Sequence, residues 1–155
     1  LRRARVERLA ENLARAGNGR AFPVVASALH PPLRQADLVL LDAPCLGTGT
    51  LARHPDARWR LGPDALTRLV AEQGRLLDAV ATVVRPGGWL VYATCSLEPE
   101  ENEEQVRRFL EQHPGFTRDP SPMPPGLETP AGDLFLLPHR DGTDGAFAAR
   151  LRKRA

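Results

Sequence analysis

The chain has 155 residues, which suits one domain, and its composition, 42% hydrophobic and 26% charged, is typical of a globular protein. A formal net charge of +2 neither requires a nucleic-acid partner nor excludes one. No apolar run approaches the ~18 residues of a membrane-spanning helix and no signal peptide is visible, so we expect a cytoplasmic protein.

The first half of the chain alternates between helical and strand patterns. Apolar residues at helical spacing predict a helix over 2–16, and a short apolar run predicts a strand over 22–26. The run DLVLLD at 37–42 is apolar almost throughout, which indicates a parallel strand covered on both faces. A long loop follows over 43–62, and loops of this length are commonly functional. Periodic apolar residues then predict a long helix over 64–84.

The second half continues this alternation. A turn is predicted at 85–88, and WLVYATC at 89–95 predicts a second buried strand. An acidic first turn begins a helix over 98–112, while 114–131 is rich in proline and lacks a pattern. The last two strands, expected to form a hairpin, are predicted over 133–137 and 146–152. The pattern therefore predicts an α/β fold with a largely parallel sheet and antiparallel strands at its end.

Three reactive side chains follow the two buried strands. Asp42 and Cys45 come at the end of the first strand, and Cys95 ends the second. Ligands of open sheets bind beyond the carboxyl ends of the strands, so neighbouring strands would bring these residues into one crevice. Two cysteines are too few for a disulfide scaffold, and without a CxxC or HxxxH pair we expect no metal site. Because a thiolate is a strong nucleophile, the arrangement favours covalent catalysis.

Four segments resemble the Sun family of S-adenosylmethionine-dependent RNA cytosine-5 methyltransferases. DAPCLGTGTLARHPDARWR (42–60) is similar to the family's Pro-Cys motif. LVYATCSLEPEENEEQV (90–106) is similar to its Thr-Cys motif, including the Pro-Glu-Glu-Asn that follows. PHRDGTDGAFAARLRK (138–153) resembles the final hairpin, and RVERLAENLARAG (5–17) resembles the helix after the cofactor-ribose strand. The resemblance implies a Rossmann-like class I methyltransferase sheet.

The resemblance also implies chemical roles. Cys95 would add as a thiolate to carbon 6 of cytosine, Cys45 would assist release of the product, and Asp42 would hydrogen-bond the base near ring nitrogen 3. The methyl donor would be S-adenosylmethionine, and the substrate would be RNA, with ribosomal RNA favoured over transfer RNA. DNA cytosine-5 methyltransferases use the Pro-Cys cysteine as nucleophile, so Thr94 and Cys95 together indicate the RNA type.

Further residues are expected around this centre. Ser27, Asp42 and Pro44 would line the cofactor site, with Ser27 standing where the family tends to have an Asp. Substrate contacts are expected from Arg53, His54 and Thr94, although solvation or packing of the loop accounts for Arg53 and His54 equally well.

Several aromatic and polar residues have simpler interpretations. We expect Trp59 to anchor the long loop by hydrophobic packing, with stacking on a base as the alternative. Trp89 and Tyr92 are expected in the core, and Asp144 and Gly145 in a turn. Basic clusters near both ends either bind phosphates or form solvated faces; they comprise Arg2, Arg3, Arg5, Arg8, Arg150, Arg152, Lys153 and Arg154.

The resemblance places the family's glycine-rich cofactor loop, its lysine and its ribose-binding acid before residue 1. Since Leu1 is not an initiator Met, we expect a piece of a longer protein, namely part of a catalytic domain without its first strands. We expect residues 1–155 alone to bind S-adenosylmethionine weakly or not at all and to be inactive. The alternative function is a non-catalytic RNA-binding or assembly module with the same fold, an alternative that Ser27 keeps open.

Overall fold

The computed structural model describes residues 3–17 and 20–155 of the chain. None of the helices within these ranges is long and apolar enough to cross a membrane. The helices are α1 (Arg3–Arg15), α2 (Pro63–Ala81), α3 (Glu103–Gln112) and α4 (Pro138–Asp141). The strands are β1 (Ala36–Asp42), β2 (Val84–Thr94), β3 (Phe116–Arg118), β4 (Leu134–Leu136) and β5 (Ala146–Lys153). Short 3₁₀ helices occupy Thr48–Thr50, Pro55–Arg60 and Pro99–Glu101.

The strands form one mixed sheet in the order β1-β2-β5-β3, with β4 also paired to β5. β1 and β2 run parallel, and β5 pairs antiparallel with β2, β3 and β4. The mixed α/β sheet with antiparallel strands at its end is thus confirmed. The expected pairing of the last two strands is confirmed as well, with α4 in the connection between them.

A core between the sheet and the helices holds β1 and β2 in place. α2 contacts β1, β2 and α3, and the apolar side of α2 predicted from its periodicity is the side that is buried. Tyr92 is fully buried, which confirms its place in the core, and its ring lies 6.5 Å from that of Phe147. Trp89 is only half-buried, because its indole N–H donates to Asp119 Oδ2 at 2.7 Å near the surface.

β1 is at the edge of the described sheet, and only one of its faces is covered. Leu41 is buried, whereas Leu38 and Leu40 on the alternate positions are 56% and 62% exposed. The expectation that this strand is covered on both faces is therefore wrong for the described part of the chain. β1 nevertheless has apolar side chains on both of its faces, which is typical of a central strand in a parallel sheet.

The strand predicted over 22–26 is not formed. Phe22 and Val24 are 84% and 64% exposed, and the segment has no regular secondary structure. Residues of this segment line a cavity of about 370 Å³, together with Val39 and Val80. A strand needs a ladder partner for its backbone groups, and within the described residues this segment pairs with none.

Other boundaries differ locally. Residues 85–88, expected to form a turn, lie within β2 instead. The pairing of β2 with β1 is irregular at this point, and Gly87 adopts a positive φ of 72°. The helix expected over 98–112 begins as a 3₁₀ turn and becomes α-helical at Glu103. β3, at Phe116–Arg118, was not anticipated because a three-residue strand produces no periodic signal.

A buried ion pair beside β3 gives a testable stability effect. Asp133 is 2% exposed, and the Arg118 Nε donates to its two carboxylate oxygens at 3.1 and 3.3 Å. Burial raises the pKa of Asp133, and Arg118 offsets part of that rise. Because the folded pKa is raised, this carboxyl stabilises the fold fully below the ordinary Asp pKa and loses that contribution as the pH rises through the folded pKa.

We expect Arg118→Gln to lower the free energy of unfolding by about 3 kcal/mol at pH 7, since it leaves a buried carboxylate without its cation. The loss should shrink as the pH falls through the pKa of Asp133, because the protonated acid needs no cation. Urea unfolding of the full-length protein at pH 7 and pH 4 measures this. Arg107→Gln, which breaks an exposed pair with Glu111, is the control and should cost less than about 0.5 kcal/mol at either pH. An equal loss for Arg118→Gln at both pH values would contradict the expectation.

Candidate active site

The two sulfur atoms of the chain meet at the carboxyl end of the sheet. Cys45 Sγ and Cys95 Sγ are 3.4 Å apart, and both side chains are half-buried. Either sulfur can act as the donor of the hydrogen bond that this distance permits. The predicted convergence of the two cysteines is therefore confirmed.

The parallel pairing of β1 and β2 creates this arrangement. Asp42 lies opposite Ala93 in the register, and the Ala43 N–H donates to the Ala93 carbonyl at 2.9 Å. Both strands end within a few residues of this point, so the chain after each strand leaves the sheet on the same edge. Cys45 and Cys95 are the side chains that each departing segment places there.

The surroundings of the Cys45 thiol disfavour its ionisation. Burial raises the pKa of Cys45 to about 12, and the neighbouring sulfur of Cys95 contributes to the rise. Backbone hydrogen bonds from Cys95 and Gly47 counteract it only partly. Cys45 is thus a neutral thiol at neutral pH and has a proton to donate.

Backbone contacts hold the Cys45 loop, residues 43–62, against the end of β2. The Gly49 N–H donates to the Cys95 carbonyl at 2.9 Å, and the Gly145 N–H donates to the Gly49 carbonyl at 2.8 Å. Arg53 in this loop forms an ion pair with Asp144 at 2.8 Å. Asp144 and Gly145 therefore do more than form a turn, since they connect the chain before β5 to the Cys45 loop.

Thr94 and Asp42 occupy contrasting positions. Thr94 is 4% exposed, and its hydroxyl donates to Asn102 Oδ1 at 2.6 Å, so it is engaged inside the protein. Asp42 is exposed at the end of β1. Within the described residues, Asp42 is therefore open to solvent, whereas Thr94 is not.

The remaining expected cofactor residues lie in two places. Pro44 is exposed beside Cys45, and its carbonyl accepts a hydrogen bond from Gln73 Nε2 at 2.9 Å. Ser27 lines the cavity under residues 22–33, whereas Cys45 lines a different cavity of about 330 Å³ together with Leu61 and Arg68. The Ser27 hydroxyl accepts from the Leu29 N–H at 3.3 Å within its own turn.

The long loop exposes its basic and aromatic side chains. The side chain of Arg53 is 73% exposed, and His54 is exposed immediately before the 3₁₀ helix at Pro55–Arg60. Trp59 is 84% exposed, so the expectation that it anchors the loop by packing is wrong for the described residues. Arg53, His54 and Trp59 are therefore all exposed to solvent.

The basic clusters near the ends of the chain are partly committed to internal contacts. Arg150 Nε donates to the Asp119 carbonyl at 2.6 Å, and Lys153 Nζ donates to the Val84 carbonyl at 2.8 Å. Arg152 lies over the Trp89 ring at 4.9 Å. In the opening cluster, the side chains of Arg2, Arg3 and Arg5 lie outside the described residues.

Three buried polar residues behind the cysteines were missed: Gln73, Glu101 and Asn102 are each 0% exposed. A signal existed for each of them. Gln73 interrupts the apolar side of α2 with a polar side chain, and the other two belong to the quoted Pro-Glu-Glu-Asn segment. Within the described residues, no three His, Cys, Asp or Glu side chains lie close enough to hold a metal ion.

Known proteins are similar to this chain in sequence. A family model described as 16S rRNA methyltransferase RsmB/F matches residues 1–152. The chain is 45% identical over 129 residues to the probable ribosomal RNA small subunit methyltransferase B of Synechocystis sp., covering 81% of this chain and 29% of that protein. It is 40% identical over 158 residues to the ribosomal RNA small subunit methyltransferase B of Pasteurella multocida, covering 96% and 35%.

A solved structure agrees at the level of the fold. The structure described as NSun6 from Pyrococcus horikoshii with SFG matches with a TM-score of 0.88 and 29% identity, covering 99% of this chain and 40% of that one. The Rossmann-like methyltransferase fold is confirmed, and the chain spans about a third of the length of the curated relatives it matches. S-adenosylmethionine is the cofactor of this family. The chain belongs to the RsmB/F family of 16S rRNA methyltransferases.

Proposed function

We propose that the full-length protein methylates carbon 5 of a cytosine in RNA, with ribosomal RNA preferred over transfer RNA, and that Cys95 is its nucleophile. The observation that carries the proposal is the 3.4 Å separation of the Cys95 and Cys45 sulfurs at the carboxyl end of the sheet. Two thiols at this distance can act on the same pyrimidine ring from one side.

The reaction follows from the weak nucleophilicity of cytosine carbon 5. The Cys95 thiolate adds to carbon 6, and the electron pair of the carbon 5–carbon 6 bond becomes available at carbon 5. When bound, S-adenosylmethionine would supply the methyl group to carbon 5, and the electrons of its sulfur–methyl bond would stay on sulfur as S-adenosylhomocysteine leaves. A base removes the carbon 5 proton, and the electrons of that bond restore the double bond and expel the Cys95 thiolate.

The protonation of Cys45 supports the roles that the family resemblance suggests for the two cysteines. A neutral Cys45 thiol can donate its proton in a hydrogen bond to the Cys95 sulfur, and donation to the charged form stabilises a thiolate. The same contact would stabilise the departing Cys95 thiolate when the product is released. Cys45 therefore acts as the donor and Cys95 as the attacking atom.

We assign the residues at the end of β1 to contacts with the cofactor and with the target cytosine. Asp42 and Pro44 are both exposed next to Cys45, so a ligand can reach them, and Asp42 can hydrogen-bond either the cofactor or the cytosine edge. Ser27 would reach only a part of the cofactor that extends to its own cavity. These roles are proposals, as is a cytoplasmic location.

RNA contacts are assigned to the solvent side of the Cys45 loop. Arg53 and His54 are exposed there and can meet phosphates, and exposed Trp59 can stack on a base. Because the Thr94 hydroxyl is already bonded to Asn102, we assign Thr94 to positioning Cys95 rather than to contacting RNA.

The proposal is tested by methyl transfer with the full-length protein. Labelled S-adenosylmethionine is supplied with small-subunit ribosomal RNA or with transfer RNA, and the RNA is digested to nucleosides. We expect label in 5-methylcytidine with ribosomal RNA, and Cys95→Ser should reduce its formation at least about 1,000-fold, as expected for loss of a nucleophile. Normal methylation by Cys95→Ser would reject the proposed chemistry. If the parent protein transfers no methyl group to either RNA, the non-catalytic RNA-binding module is favoured instead.

A further inference from the structure

The Pro-Glu-Glu-Asn segment at 99–102 has no role in the chemistry above, yet two of its side chains are fully buried. Glu101 and Asn102 are both 0% exposed. A buried carboxylate or amide is tolerated only where hydrogen bonds satisfy it. The hydrogen-bond partners of these two side chains include the residues that precede and follow each cysteine in the sequence.

Glu101 holds the chain around Cys45. The Leu46 N–H donates to both carboxylate oxygens, at 3.1 and 3.2 Å. Gln73 Nε2 donates to Glu101 Oε1 at 2.8 Å and to the Pro44 carbonyl at 2.9 Å. The residue after Cys45 is thus bonded directly to the Glu101 carboxylate, and the residue before Cys45 is connected to that carboxylate through Gln73.

Asn102 holds the chain around Cys95 in the same manner. The Thr94 hydroxyl donates to Asn102 Oδ1 at 2.6 Å, and Asn102 Nδ2 donates to the Ser96 carbonyl at 2.9 Å. These two contacts require the amide oxygen and nitrogen of Asn102 to keep this orientation. The residue before Cys95 and the residue after it are therefore also attached to one side chain.

One peptide bond joins the two attachments. Consecutive Cα atoms are about 3.8 Å apart across a trans peptide, so Glu101 and Asn102 cannot move apart. The buried Tyr92 hydroxyl donates to the Glu101 carbonyl at 2.6 Å and ties this unit to β2. We propose that Glu101, acting with Gln73, and Asn102 are positioning residues that set the distance between the two sulfurs. The geometry is independent of the activity, whereas the catalytic consequence rests on the proposed function.

Two near-isosteric substitutions separate the two attachments. Glu101→Gln places an amide N–H₂ against either the Leu46 N–H or the Gln73 amide, so one donor faces another and the Cys45 side is loosened. Asn102→Asp keeps an acceptor for the Thr94 hydroxyl but loses the donor to the Ser96 carbonyl, so the Cys95 side is loosened. Glu104→Gln is the control, because Glu104 lies on the surface of α3, where it forms a 3.9 Å ion pair with Arg108.

The primary readout is the reactivity of each thiol toward iodoacetamide in the folded full-length protein, quantified by peptide mass spectrometry. We expect the ratio of Cys45 to Cys95 alkylation to rise about tenfold in Glu101→Gln, as for loss of one charged hydrogen bond, and to fall in Asn102→Asp. Glu104→Gln should leave the ratio unchanged. Global destabilisation would move the ratio in the same direction in both variants, and that outcome, or an unchanged ratio, overturns the inference.

Milder substitutions cover the case in which either variant does not fold. Gln73→Met removes the amide that joins Pro44 to Glu101, and Thr94→Val removes the hydroxyl that joins the Cys95 side to Asn102. Both substitutions keep the side-chain volume nearly constant. Gln73→Met should raise the ratio of Cys45 to Cys95 alkylation, as Glu101→Gln does, and Thr94→Val should lower it, as Asn102→Asp does. A shift in one common direction, or none, counts against the inference.

A second readout is the covalent protein–RNA complex. Glu101→Gln should accumulate it by slowing release, whereas Asn102→Asp should form it more slowly. If the alkylation ratio splits but the parent transfers no methyl group, the proposed function fails and the positioning role stands. If the parent methylates RNA and the ratio does not move, the positioning role fails and the proposed function stands.

Discussion

Replacing Cys45 with Ala should leave the full-length protein covalently attached to its RNA. The Cys95 adduct can still form because the nucleophile is intact, but the thiol 3.4 Å from it no longer stabilises the departing thiolate. Loss of one proton donor to a reacting group typically slows a step by about 10²- to 10⁴-fold, so we expect release to slow at least about 100-fold. Denaturing gel electrophoresis after incubation with RNA and S-adenosylmethionine would reveal a slow-migrating band of protein attached to RNA. Treatment with ribonuclease would shorten the attached RNA, so this band would migrate faster.

Controls for this result separate adduct formation from nonspecific crosslinking. The double variant Cys45→Ala with Cys95→Ser should give no band, because the attacking sulfur is absent. Cys95→Ser alone should also give none. Turnover of Cys45→Ala at the parent rate, or a band that survives loss of Cys95, would show that the two thiols do not have the proposed roles.

The location of the site could be predicted because the chemistry follows buried strands. Cys45 and Cys95 each come just after a run of apolar residues, and parallel neighbours place the ends of such runs on one edge. The sequence therefore contained enough information for the meeting of the sulfurs, although not for its distance. That distance depends on loop contacts such as the Gly49 N–H with the Cys95 carbonyl, which have no side-chain signature.

The support of the site was harder to predict, for a physical reason. Acidic residues at a helix start ordinarily interact with the helix dipole, so Glu101 was interpreted as one of several first-turn acids. Its carboxylate instead accepts from Leu46, 55 positions away in the chain, and that pairing depends on the packing of α2. Gln73 would have been suggested by one rule, namely that a polar side chain on an apolar helix face needs a buried partner.

Errors in the fold came from elements whose stability depends on partners. Residues 22–26 have strand composition, but their backbone finds no ladder within the described residues, so composition alone was insufficient. Trp59 was expected to be buried because large apolar side chains usually are, yet it is 84% exposed on the Cys45 loop. Its exposure agrees with the alternative interpretation, in which Trp59 stacks on a base.

Gly49→Ala should slow methyl transfer at least about 100-fold without unfolding the protein. A Cβ at this position would lie 2.5 Å from the Gly145 carbonyl oxygen and 2.8 Å from that of Cys95. Both contacts are with backbone atoms, so the Cys45 loop would have to move away from the end of β2. Overpacking of this kind costs about 1–3 kcal/mol of stability, whereas displacing a catalytic group by about 1 Å costs about 100-fold in rate.

A matched control lies in the same loop. Gly62 has extended backbone, with φ at 177°, and a Cβ there would meet no atom of the described residues within 4 Å, so Gly62→Ala should keep the parent activity. Because Gly62 is the N-cap of α2, we expect this control to lose about 1 kcal/mol of stability at most. Thermal unfolding and methyl-transfer rates of both variants give the comparison. We expect Gly49→Ala to lose at least about 100-fold in rate with only a modest drop in Tm. Full activity of Gly49→Ala would mean that contact between the Cys45 loop and the Cys95 carbonyl is not required for the sulfurs to act together.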